Sequence, residues 1–89
     1  MKAYVVRFFK TTEEGSEETG TVRLEGEKFR CTGSVIERLG RWKKDGISFD
    51  GKGPLYPSDG KAFLELLPYV YSGSYTRATQ PQEEQVLDA

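Results

Sequence analysis

Apolar and polar positions alternate most regularly over residues 21–33, TVRLEGEKFRCTG. Val22, Leu24, Phe29 and Cys31 fall on one face, and Arg23, Glu25, Lys28 and Arg30 on the other, which is the pattern of half-buried strands. Gly26-Glu27 suits a two-residue turn with glycine at its first central position. A hairpin closed there pairs residues whose numbers sum to 53, so Leu24 faces Phe29 and Arg23 faces Arg30. Residues 3–10, AYVVRFFK, are β-branched and aromatic and apolar on both faces apart from Arg7, as in a central strand. Strands are therefore expected at 3–10, 20–25 and 28–32.

The period then changes to that of helices. Ser34 and Glu37 carry the capping-box spacing, and Val35, Leu39 and Trp42 form one stripe of a first helix ending near Lys43-Lys44. Ile47-Ser48-Phe49 reads as a short extended piece between Asp-Gly turns, with a further brief one at Leu55-Tyr56. A second helix begins near Ser58 or Asp59, with Phe63, Leu66, Leu67 and Val70 at core-facing spacing. Pro68 removes a backbone donor and disfavours helix at Leu67, so the helix is expected to end or kink there. Residues 74–78 form a candidate last strand. These elements make an α+β domain over residues 1–79: an antiparallel sheet with two short helices on one face.

Composition limits the size of the core. Val, Ile, Leu and Phe supply 20 of 89 residues, with five tyrosines and one tryptophan added. No run of about 18 apolar residues exists to cross a membrane, and residues 1–10 do not read as a secretory signal. Net charge is −1, but it is segregated. The segment 11–19 carries four glutamates and no base, and 80–89 carries Glu83, Glu84 and Asp88 and no base. The first is read as a polar loop, the second as a disordered acidic tail, and both leave a basic body between them.

Near the C-terminus, Asp59-Gly60, Phe63-Leu64, Leu66-Leu67-Pro68 and Gly73-Ser74-Tyr75-Thr76-Arg77-Ala78 resemble the ending of short bacterial hypothetical proteins. The resemblance covers about a quarter of the chain. It implies a bacterial cytoplasmic origin and carries over neither an activity nor a site residue.

Catalytic chemistry finds little material. Histidine is absent and Cys31 is the single cysteine, so a zinc ligand set is not expected. One residue too many lies between Cys31 and Arg38 for a phosphatase loop, and a buried, unreactive core thiol is the expectation. Gly53 and Gly60 are separated by six residues where a phosphate-binding P-loop wants four, and Ala62 follows Lys61 in place of the Ser or Thr that would hold magnesium. Asp45, Asp50 and Asp59 precede glycines as turn formers and lack a calcium-loop ladder. An enzyme, a metal and a cofactor are accordingly not expected.

Two binding surfaces remain. In the hairpin register Arg23 and Arg30 lie opposite each other, with Lys28 near one end of their row, and Arg7 joins it if the first strand lies antiparallel to the second. Like charges across a sheet are mildly destabilising, so the row either is a candidate site for an anion or single-stranded nucleic acid, or is neutralised locally by Glu25, Glu27 and the acidic segment 11–19. The second surface is aromatic: Trp42, Tyr56, Tyr69, Tyr71 and Tyr75 exceed what so small a core needs, and Tyr and Trp favour interfaces. The reading preferred from sequence is a non-catalytic protein-interaction module, binding a protein partner or a second copy of itself. Weak nucleic-acid binding is the alternative.

Overall fold

The computed structural model describes residues 2–49, 51, 53–73 and 75–85. Five strands, β1 (Lys2–Thr12), β2 (Gly15–Glu25), β3 (Lys28–Gly33), β4 (Thr76–Ala78) and β5 (Gln82–Gln85), form one antiparallel sheet. Two helices, α1 (Val35–Asp45) and α2 (Lys61–Val70), cover one face. The α+β class is therefore as read from the sequence. The sheet order is β3-β2-β1-β4, with β5 beside β4 along the same edge of β1. The β2–β3 register is Leu24↔Phe29, Arg23↔Arg30 and Val22↔Cys31, and Gly26 takes the positive φ, 63°, that its turn requires.

The core lies between the sheet and the helices. Val6 and Phe8 from β1, Val22 and Leu24 from β2, Val35 and Trp42 from α1, and Phe63, Leu64 and Leu67 from α2 are buried together. Aromatic rings dominate it. Trp42 lies 6.2 Å from Phe8, 5.5 Å from Phe63 and 6.0 Å from Tyr71, and Phe29 meets Phe63 edge-on at 5.5 Å. Such pairs add about 0.5–1.5 kcal/mol each beyond area burial. Arg38 lays its guanidinium 5.0 Å from the Tyr71 ring centre.

Four local expectations are corrected. The glutamate-rich segment 11–19 is not a loop: β1 runs to Thr12 and β2 starts at Gly15, so it forms a two-stranded ribbon turning at Glu13-Glu14. Backbone pairing alone defines that ribbon, which explains why no apolar alternation announces it. Its register slips at Phe8↔Gly20 and Phe9↔Glu18, leaving Thr19 as a bulge. Ser34 does not form a capping box. Its N–H (2.9 Å) and hydroxyl (3.3 Å) both donate to the carbonyl of bulged Thr19, which fixes the start of α1 to β2.

Pro68 does not end α2, which continues to Val70, where the Tyr71 N–H donates to the Leu67 carbonyl at 2.9 Å. Proline sacrifices only its own hydrogen bond, and the buried Phe63, Leu64 and Leu67 hold the helix against the sheet. The folded sheet also does not stop at residue 79. Gln82–Gln85 pair with Val5–Lys2, so the tail is ordered as a strand through residue 85. Val86 and Leu87 lie outside the described residues, as does Ser74 of the expected last strand. The Ile47 segment forms an isolated antiparallel bridge to Leu55, its N–H donating at 2.7 Å and its carbonyl accepting at 2.6 Å.

Candidate functional site

Period-two alternation divides the sheet into two unlike faces. The helix-covered face holds Tyr4, Val6, Phe8, Val22, Leu24, Phe29 and Cys31. The other carries Ala3, Val5, Arg7, Arg23, Glu25, Lys28, Arg30 and Glu84, with no helix over it. The arginine row therefore exists, but it is internally paired. Arg7 binds Glu18 at 3.2 Å and Glu84 at 2.9 Å, and Arg23 binds Glu84 at 3.1 Å and Glu25 at 3.3 Å. Arg30 lies 3.6 Å from Glu25 and is largely exposed, like Lys28. The opposed Arg23 and Arg30 thus share one carboxylate, Glu25, which removes the repulsion that their register implies.

The aromatic set divides as well. Trp42 is 3% exposed and belongs to the core, and the half-buried Tyr71 packs beside it against Phe8 at 5.3 Å. Tyr56, Tyr69 and Tyr75 are exposed. Tyr69 tilts against Phe49 at 5.3 Å, a partner that sequence reasoning did not pick out, and Tyr75 lies beneath the Lys10 ammonium. The Tyr75 hydroxyl, by hydrogen bonding, pushes the Lys10 ammonium up from its ordinary value.

Tyr56 takes part in a different feature. A groove of about 360 Å³ is lined by Glu27, Phe29, Lys43, Tyr56, Pro57 and Ser58. It separates the β2–β3 turn from the 3-10 turn Pro57–Asp59, where Asp59 accepts from the Tyr56 N–H at 2.9 Å. A second concavity continues it past Gly26, Asp59 and Gly60, again over Phe29. Beside this groove runs the outer edge of the sheet. Among the described residues β3 pairs only with β2. With Glu25 and Lys28 closing a two-residue turn, alternation directs the backbone groups of Phe29 and Cys31 outward. Among the described residues neither has a backbone partner on that side.

Cys31 is half-buried, not fully buried as expected, because β3 lies at the edge. Desolvation still pushes its thiol up to about 11, against a smaller opposing effect of Lys43. At pH 8 its labelling by a disulfide reagent should run about a hundredfold slower than that of a free thiol, since thiolate is the reactive form. The folded state holds this proton more tightly than the unfolded chain. The resulting stabilisation is present below pH 9.0 and is lost as pH rises towards about 11. Thermal melts of the natural chain and Cys31→Ala should reveal it as a Tm difference that shifts against the natural chain across that range.

Among the described residues no group of three or more His, Cys, Asp or Glu is placed to hold a metal ion, and no helix is long and apolar enough to cross a membrane. A scan against protein-family models and searches of curated proteins and of solved structures return no match.

Proposed function

We propose that this protein is a small non-catalytic protein-interaction module that takes an extended peptide segment on the outer edge of β3. The observation that carries the reading is the outward backbone of Phe29 and Cys31 next to a groove lined by Phe29, Tyr56 and Pro57. Strand addition draws affinity from main-chain hydrogen bonds and specificity from pockets that take alternate side chains. Here an apolar side chain of the guest would enter the groove. Its neighbours would turn to the other face, towards Lys28 and Arg30, so acidic residues fit them. The alternative of a nucleic-acid face has less support, because Glu18, Glu25 and Glu84 already occupy Arg7 and Arg23.

Selection of displayed peptides on the immobilised chain tests the proposal. Extended sequences with one apolar residue between acidic ones should emerge. Cys31→Pro should weaken them up to about tenfold, the loss of one backbone hydrogen bond. Proline is tolerated on an edge strand where its missing N–H would point outward, so the far-UV spectrum should be unchanged. Selected peptides indifferent to Cys31→Pro would overturn the assignment to β3. No peptide at all, with steeply salt-dependent binding of a single-stranded oligonucleotide, would favour the alternative.

A further inference from the structure

β5 is fastened to the sheet in an unusual way. Its residues are Gln82, Glu83, Glu84 and Gln85, all polar, and Glu84 alone is half-buried. Among its described residues no apolar side chain holds it down. Its fastenings include a four-residue ladder to β1, the Glu83–Lys2 ion pair at 3.2 Å, and the Glu84 carboxylate. One Glu84 oxygen accepts from Arg7 at 2.9 Å and the other from Arg23 at 3.1 Å, so two strands grip a single carboxylate. Beside it Ala3 and Val5, on the face without helices, are 0% and 1% exposed.

β5 is also separable from β4. The pairs Phe8↔Ala78 and Val5↔Gln82 differ in register by one residue, which places a bulge at 79–81. Pro81 within it has no N–H to donate to β1. On the β4 side the chain is anchored independently: the Thr79 N–H donates to the Arg7 carbonyl at 2.9 Å, and the Ala78 N–H to the Tyr71 carbonyl at 2.7 Å. β5 can therefore leave without taking β4 with it.

We propose that the Lys2–Val5 edge of β1, with the Arg7–Arg23 pair, is a second docking site, and that β5 is its built-in occupant. The external ligand is an extended acidic segment of a partner protein that places a carboxylate where Glu84 now lies. β5 itself displays the chemistry that the site accepts: an extended polar strand with a glutamate opposite Ala3, complementary in charge to two guanidinium groups. This site is independent of the β3 edge. β5 excludes competitors through its high effective concentration, in the millimolar range for a short tether, and the partner gains access by exchange.

The test uses the full-length chain and a fluorescein-labelled peptide of sequence QPQEEQ, read by anisotropy. The natural chain should bind it weakly. Glu84→Gln, which loosens β5, should bind it about tenfold more tightly, and adding Arg23→Gln should abolish that gain. A peptide with glutamine at the position equivalent to Glu84 should not bind, and about 1 M salt should remove binding, since charge attraction is then screened within about 3 Å. An unchanged affinity in Glu84→Gln, or equal binding of the glutamine peptide, would overturn the proposal. Hydrogen exchange on the natural chain decides independently of any variant. The Arg7 N–H points towards Thr79, so alternation turns the Val5 amide towards β5 and the Val6 amide towards β2. Val5 should exchange faster than Val6, and faster still in high salt; equal protection of the two would refute a separable β5.

Discussion

Trp42→Ala should cost about 3–5 kcal/mol of stability, the range for removing a large buried aromatic side chain. Total stability for a domain of this size is about 5–15 kcal/mol, so the variant is left close to unfolding. Trp42 is 3% exposed and contacts Phe8, Phe63 and Tyr71, which come from β1, α2 and the segment after α2. Its loss opens a cavity shared by three elements. Urea denaturation followed by far-UV circular dichroism measures the effect without relying on the indole as reporter. Ile36→Ala is the control: Ile36 lies on the same helix but is 58% exposed, so the change should stay within about 0.5 kcal/mol. A small effect for Trp42→Ala would return that residue to the candidate interface and contradict its place in the core.

Gly33→Ala should have the next largest effect. Gly33 has φ +64°, and a Cβ there would lie 2.1 Å from the Thr19 carbonyl oxygen. That oxygen is the acceptor for both Ser34 donors. The substitution therefore strains the backbone by about 1–2 kcal/mol and forces apart the junction of β2 with α1, for about 2–4 kcal/mol in total. Gly40→Ala provides the opposite sign. Gly40 lies in α1 with open space where its Cβ would stand, so alanine should stabilise the helix by about 0.5–1 kcal/mol. Chemical denaturation of the two variants side by side reads both.

What was legible in the sequence follows from where burial writes a pattern. The β2–β3 register was readable because turn chemistry at Gly26 and alternation at Val22, Leu24, Phe29 and Cys31 agree on it. The ribbon 11–18 and β5 were not readable, since neither buries an apolar side chain and backbone pairing leaves no mark in composition. The same gap affected the site. Arg7, Arg23 and Arg30 lie on one face as the alternation implies, but the pairing of Arg7 and Arg23 with Glu84 spans 77 and 61 residues of chain, which no local pattern records. Aromatic residues were ambiguous for a different reason. Trp42 and Tyr71 complete the core while Tyr56, Tyr69 and Tyr75 do not, and an excess of rings tells nothing about which of them turn inward.

The position of β1 has a consequence for biosynthesis. It is a central strand of the sheet, yet its neighbours are made at opposite times. β2 follows it after two residues, whereas β4 and β5 come from residues 76–85. Throughout translation of the intervening segment, one side of β1 remains an open edge bearing Val5, Phe8 and Phe9, in a nascent chain that already holds a paired hairpin. Such an edge recruits other strands. Pairing with residues 76–78 and 82–85 ends this exposure, and chains stalled or shortened before them are the form in which aggregation should concentrate.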